Sequence, residues 1–194
     1  MVDTGLPAGT PEEVPDENSI LYTGKDICTY MEAFAALGNK PEQVTKILIT
    51  HKHPDHTGAL EYFPNAKVYI SPEDADAMKL PEDDRIVCIT YKDGSYKNFP
   101  TSETIILGLH FIEAKGHILG NSIVILEHDG LYYMFNGDVT YCDAALKACK
   151  LSIVYEDIKA ARETLDRVRE FIKNQPTVYL STHSPKGYEN LEMR

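Results

Sequence analysis

The feature that most constrains this chain is a dense run of histidines directly behind a short apolar stretch. Residues 46–50 (KILIT) are apolar and predict a short buried strand. His51, His53, Asp55 and His56 follow within six residues. Imidazole nitrogens and carboxylate oxygens are ligands that zinc and similar ions prefer, so the segment indicates a metal site on a loop at a strand end. On an extended segment His51 and His53 project to the same side and can share one metal.

Three further candidate ligands lie behind later predicted strands. They are His117 after residues 104–114, Asp138 after 131–136 and His183 after 177–181. Loops at strand ends, held by a rigid sheet, are where functional sites are usually built. His110 and His128 lack such a setting, and we expect them to be ordinary core or surface residues. The sequence therefore predicts that one set of loops gathers the ligands.

The remaining pattern predicts helices that alternate with strands. Residues 157–173 carry apolar side chains on one helical face and charged ones on the other, and Pro176 ends this helix. The other predicted elements are helices over 25–37 and 72–79, strands over 66–71, 85–91 and 122–128, a loop over 4–18, and turns at Asp93-Gly94 and Asp129-Gly130. This order predicts an α/β sandwich with helices outside the sheets.

Length and charge narrow the class of protein. A chain of 194 residues predicts one domain over residues 1–194. The net charge of −11, without a Lys/Arg cluster, argues against nucleic acid and anionic membranes as partners. The sequence has no membrane-length apolar run and no secretory signal, so we expect a cytoplasmic protein. Cys28, Cys88, Cys142 and Cys149 match no zinc or redox spacing and are expected to be free thiols.

The order HxHxDH, Gly-His, Gly-Asp and Thr-His resembles the ligand series of the metallo-β-lactamase superfamily, and the resemblance runs from Val2-Asp3-Thr4-Gly5 to His183. It implies an αββα sandwich with two divalent metal ions in the cleft between the sheets; zinc is expected first, and iron, manganese and cobalt also suit such ligands. It implies these ligands: His51, His53 and His117 for the first metal, Asp55, His56 and His183 for the second, and Asp138 bridging both. Asp3 would support the site without binding metal.

The position of one tyrosine indicates which group of the superfamily the chain resembles most. Tyr141 lies three residues after Asp138, as in the N-acyl-homoserine lactonases of that superfamily. This implies a hydrolase that uses a hydroxide bridging two metals to open a lactone or a related small ester. Tyr141 would polarise the substrate carbonyl, and Asp55 would carry a proton to the leaving group. The alternative for Tyr141 is a structural role at a strand end. The sequence has neither a GxSxG motif nor a cysteine paired with a histidine, so we expect no covalent nucleophile.

Two departures from the family pattern bear on these expectations. The usual first strands before Asp3 are lacking, so the first sheet would expose an edge, which favours a homodimer or another covering chain. The loop at 114–121 (AKGHILGN) lacks two prolines and a second histidine that the lactonases usually carry. The same ligands also suit a glyoxalase-II-like thioesterase, a β-lactamase, or a metal-binding module without catalysis.

Overall fold

The computed structural model describes residues 1–6, 9–10 and 28–192. A three-stranded parallel sheet contains the first strands in the order β1-β2-β3. Its strands are β1 Lys46–Leu48, β2 Lys67–Ile70 and β3 Ile86–Cys88. Val2 forms an isolated parallel bridge with Leu48 at the β1 edge. The histidine-rich loop leaves this sheet at the carboxyl end of β1.

A six-stranded sheet follows in the order β4-β5-β6-β7-β8-β9. Its strands are β4 Gly94–Tyr96, β5 Phe99–Ile106, β6 Leu109–Glu113, β7 Ser122–His128, β8 Leu131–Phe135 and β9 Thr177–Leu180. Neighbours are antiparallel except β8 and β9, which are parallel. A parallel pair needs a crossover connection, and residues between β8 and β9 supply it as helices.

The described helices are α1 Tyr30–Ala36, α2 Pro54–Thr57, α3 Pro72–Met78, α4 Asp143–Lys147, α5 Ile158–Asn174 and α6 Lys186–Glu192. The side chain of Asp157 accepts hydrogen bonds from the amides of Lys159 and Ala160 and so caps α5. Ser71 caps α3 in the same way through the amide of Asp74. No helix among the described residues is long and apolar enough to cross a membrane.

Three apolar clusters define the layers. One packs α1 and α3 on the three-stranded sheet: Phe34, Ile47, Ile49, Phe63, Val68, Ile70 and Ala75. One packs the two sheets together: Leu48, Ile89, Phe111 and Val124. One packs α5 on the six-stranded sheet: Ile112, Ile123, Ile125, Met134, Leu165, Val168 and Phe171. Because strand residues alternate between faces, the chain builds an αββα sandwich, and the predicted fold class is confirmed.

The strand predicted over 104–114 is wrong, because β5 ends at Ile106 and β6 begins at Leu109. Gly108, with a φ of +78°, makes the tight turn between them. The predicted turn at Asp93-Gly94 is confirmed in part: Asp93 lies in a turn, but Gly94 already belongs to β4, and the hairpin between β4 and β5 turns at 97–98. The hairpin at Asp129-Gly130 is confirmed; both residues have positive φ, as a type I′ turn requires.

The helix predictions differ in accuracy. The helix predicted over 157–173 is confirmed to within one residue at each end. The helix predicted over 25–37 is observed from Tyr30 to Ala36, and residues 25–27 lie outside the described residues. Most of the loop predicted over 4–18 also lies outside them. Helices α4 and α6 were not predicted, because each is short and lacks a sustained apolar period.

Candidate metal centre

Loops from both sheets bring the predicted ligands together at one end of the sandwich. Two groups of side chains place their ligand atoms within 4.8 Å of one another. The first group is His51, His53, His117 and Asp138, and the second is Asp55, His56 and His183. The chain passes from the first group to the second at Pro54, where α2 begins. Proline is favoured at this first helical position, and the helix carries Asp55 and His56 away from the extended segment before them.

The first group has the spacing of a metal site. The Nδ1 atom of His53 lies 3.1 Å from the Nε2 atoms of both His51 and His117. The Oδ2 atom of Asp138 lies 3.4 Å from His117 Nε2 and 3.7 Å from His51 Nε2. A tetrahedral zinc ion with bonds of about 2.0–2.1 Å holds its ligand atoms about 3.3–3.4 Å apart. These four atoms therefore lie near the corners that such an ion requires.

The second group is looser and nearer to solvent. The Oδ2 atom of Asp55 lies 3.6 Å from the Nε2 atoms of both His56 and His183. The side chain of His183 is 35% exposed and that of Asp55 is 34% exposed, whereas that of His56 is fully buried. This group is therefore open on one side.

Asp138 lies between the groups and faces both. Its Oδ1 atom lies 3.1 Å from His183 Nε2 and 3.4 Å from His56 Nε2. Its other oxygen, Oδ2, faces the first group. A carboxylate whose two oxygens point to different ligand groups has the geometry of a bridge between two cations.

One buried nitrogen atom, His56 Nε2, indicates whether these side chains suit a metal ion. Among the described residues, His56 Nε2 is buried and has no hydrogen-bond partner of good geometry. Its other nitrogen, Nδ1, lies 2.8 Å from Asp3 Oδ2, which fixes the orientation of the ring. A buried polar atom without a partner is costly, and a cation held between His56 and Asp138 would satisfy it. The residues present therefore fit a metal ion.

Residues around the ligands hold them in place. Asp3 accepts hydrogen bonds from the amide and the hydroxyl of Thr50, at 2.7 and 2.8 Å. The Nδ1 atom of His117 lies 2.8 Å from the carbonyl oxygen of Val154, so Nδ1–H donates and Nε2 is left to face the cluster. Asp3 was expected to support the site. Thr50 and Val154 were not foreseen, and the sequence gives no local signal for a contact 37 residues away.

Electrostatic surroundings divide the histidines into two kinds. Burial lowers the pKa of His51 well below its ordinary value and also lowers the pKa of His53. Burial alone would lower the pKa of His56, but its carboxylate neighbours outweigh burial and raise it to about 10. A hydrogen bond to Asp138 raises the pKa of His183. Burial opposes the charge on Asp138, yet His183 and His56 hold the pKa of its carboxyl far below the ordinary value.

Tyr141 lies over the cluster. Its ring centroid is 4.8 Å from that of His183 and 6.4 Å from that of His117. The tyrosine therefore borders both ligand groups and remains partly accessible. A cavity of about 610 Å³ lies elsewhere, between α4, α5 and β9, and none of its lining residues belongs to the cluster. The ligand geometry, rather than cavity size, locates the site.

The family comparison agrees with this geometry. The family model described as Metallo-beta-lactamase superfamily matches residues 1–142. The chain therefore belongs to the metallo-beta-lactamase superfamily.

Two relatives of this chain have names that describe different activities. An RNase J-like protein of Methanocaldococcus jannaschii is 26% identical over 149 residues, which cover 64% of this chain and 35% of the relative. An N-acyl homoserine lactonase of Bacillus cereus is 23% identical over 188 residues, which cover 92% of this chain and 74% of the lactonase. The chain thus spans about a third of the archaeal protein's length, and about three quarters of the lactonase's.

Solved structures show the same fold. B. thuringiensis AiiA with N-decanoyl-L-homoserine at its active site has a TM-score of 0.70 at 17% identity, and the match covers 97% of this chain and 77% of AiiA. A probable metal-dependent hydrolase from Staphylococcus aureus has a TM-score of 0.71 at 17% identity, covering 93% and 68%. AidC, a dizinc quorum-quenching lactonase, has a TM-score of 0.66 at 16% identity, covering 92% and 66%.

Proposed function

We propose that this protein is a hydrolase that depends on two divalent metal ions and opens a lactone of the acyl-homoserine type or a related small ester. The observation that carries the proposal is the placement of Asp138 between two ligand groups. His51, His53 and His117 would hold one ion, Asp55, His56 and His183 the other, with Asp138 shared. Zinc suits this set of imidazoles and carboxylates best. When bound, the pair of ions would lower the pKa of a water molecule, so that hydroxide is available near neutral pH, and would polarise the substrate carbonyl.

Asp55 is the proton carrier in this proposal. Its carboxylate lies on the exposed side of the second group, 3.6 Å from His183 Nε2. Ring opening breaks the bond between the acyl carbon and the ring oxygen, and the departing alkoxide must gain a proton. Once the hydroxide oxygen has bonded to the acyl carbon, its remaining proton would pass to the Asp55 carboxylate and from there to the departing ring oxygen, so that the products are a carboxylate and an alcohol.

Tyr141 orients the carbonyl. Its ring packs edge-on against His183, 4.8 Å between centroids, at the mouth of both groups. From there its phenol O–H donates a hydrogen bond to the carbonyl oxygen, and this bond strengthens as negative charge develops there.

Apolar side chains beside the first group suit an acyl chain. The exposed residues are Leu119, Ile153, Val154, Tyr155 and Ile158. The segment 153–158 lies beside the loop of His117, since the amide of Glu156 donates to the carbonyl of His117 and the carboxylate of Glu156 accepts from the amide of Leu119. A small ester without an apolar substituent would leave this surface exposed to water, so an acyl lactone is favoured.

Other functions fit less of the structure. A glyoxalase-II-like thioesterase would use the same ligands, and a metal-binding module without catalysis would give Tyr141 no role. RNA cleavage, suggested by the name of the archaeal relative, conflicts with a net charge of −11. A reducing compartment such as the cytoplasm suits the four free cysteines.

The test is hydrolysis of an N-acyl-homoserine lactone, of its thiolactone and of a glutathione thioester, followed by release of acid. Purified protein is assayed as isolated, after metal removal by a chelator, and after return of zinc. We expect the lactone to be the best substrate, with activity lost on stripping and restored by zinc. Preference for the thioester would replace the lactonase with the thioesterase. No turnover of any of the three, with two metals bound, would contradict a hydrolase of these esters.

A further inference from the structure

A buried carboxylate that is outside both ligand groups touches the loops of the first one. Asp74 lies in the first turn of α3 and is 1% exposed. Its Oδ2 atom accepts a hydrogen bond of 2.9 Å from the amide of Lys52. Lys52 lies between His51 and His53, so this bond holds the peptide from which both imidazoles project.

The other oxygen of Asp74 faces the loop that carries His117. A Cβ atom built on Gly120 would lie 2.2 Å from Asp74 Oδ1 and 2.4 Å from Ser71 Oγ. Only glycine allows this close approach between the loop and the start of α3. Among the described residues Asp74 Oδ1 is buried without a hydrogen-bond partner. Asp74 therefore contacts both the segment that carries His51 and His53 and the loop that carries His117.

We propose that Asp74 is a positioning residue that locks these two loops together and thereby sets the affinity of the first ligand group for its metal ion. This inference rests on the metal centre of the proposed function. Asp74 acts through the Lys52 amide, since it touches no ligand atom. Burial raises the pKa of Asp74 to about 6, so the carboxylate is charged at pH 7.5. Its negative charge adds a favourable long-range field for a cation nearby.

Three variants separate this role from general stability. Asp74→Ala removes the acceptor for the Lys52 amide, and Asp74→Asn keeps an acceptor of similar shape. Asp76→Ala is the matched control, because Asp76 is exposed on the same helix. Stepwise metal binding is measured against a chromophoric chelator at pH 7.5, and the absorption of the Co²⁺-loaded protein reports ligand geometry. Thermal unfolding of the metal-free variants reports stability.

We expect Asp74→Ala to weaken the tighter of the two metal-binding constants by on the order of tenfold and to change the absorption spectrum of the Co²⁺-loaded protein. The weaker binding constant should stay within about threefold of the wild-type value. Asp74→Asn should restore most of the loss, and Asp76→Ala should match the wild type. Unchanged binding in Asp74→Ala overturns the inference. So does an equal loss in both constants, or an equal loss in the Asn and Ala variants. Failure of the wild type to bind two metals would instead overturn the proposed function.

Discussion

The two ligand groups of this protein are built from similar residues in different surroundings. In the first group burial lowers the pKa of His51 and of His53, which favours the uncharged imidazole that binds metal. In the second group His56 and His183 lie against carboxylates, which favour the protonated ring. The first group is thus prepared for a cation, whereas in the second a cation must displace protons.

Exposure follows the same division. Three of the four residues of the first group are buried and His53 is partly exposed, whereas in the second group His56 is buried and Asp55 and His183 form an open side. A closed group retains its metal, and an open one admits substrate. We therefore expect tight metal binding at the first group and substrate entry at the second.

Removal of the shared ligand should have the largest effect, because it breaks both groups. We expect Asp138→Ala to lower kcat/KM by more than about 100-fold and to weaken both metal constants. The measurement is metal content by elemental analysis alongside lactone hydrolysis. If the variant kept two tightly bound metals, Asp138 would not be the bridge.

Removing one histidine from either group should show, from the number of metals bound, how the two groups differ. We expect His53→Ala to bind at most one metal and to lose activity, because His53 Nδ1 lies 3.1 Å from the Nε2 atoms of both His51 and His117 and its loss leaves the first group one ligand short. His183→Ala should keep the first metal and lose only the second, since its side chain is the more exposed. Stoichiometry at saturating zinc checks both variants. Identical stoichiometry in the two would remove the distinction between the groups.

The pH dependence of metal binding should differ between the constants. The pKa of His56 is raised to about 10, so the ring is protonated at pH 7 in the metal-free protein and must lose that proton when metal binds. Affinity at the second group should therefore rise about tenfold per pH unit for each proton released between pH 6.5 and 8.5. The first constant should change less over this range, because burial already keeps His51 unprotonated. Chelator competition at several pH values measures both metal-binding constants. If the two constants changed equally with pH, the proposed difference between the two ligand groups would be refuted.

The smallest effect is expected at Tyr141, which binds no metal in this account. Tyr141→Phe should lower kcat about tenfold while both metals and the fold are retained. Tyr62→Phe is a control, because Tyr62 packs on the apolar cluster between the helices and the three-stranded sheet, outside both ligand groups and outside the surface proposed for the acyl chain. A Tyr141→Phe enzyme with unchanged kcat would leave the tyrosine with a packing role.

The accuracy of the sequence predictions depended on how local each signal was. His51 to His56 could be recognised because their spacing and the preceding strand lie within one short segment. The turn at Asp129-Gly130 was equally local, whereas the break at Gly108 lies within an apolar run that resembles one strand.

Contacts between residues far apart in the chain could not be predicted, because no local sequence pattern marks them. Asp74 reaches Lys52 across 22 residues and His117 reaches Val154 across 37. Both contacts depend on how the layers pack, which no short pattern encodes.

A titration of metal-free protein with zinc tests the two-metal account most directly. Bound metal and lactone hydrolysis are followed in the same samples as zinc is added to two equivalents. We expect little activity after the first equivalent, which fills the first group, and full activity after the second. Full activity at one equivalent would contradict the requirement for both groups and, with it, the shared role of Asp138.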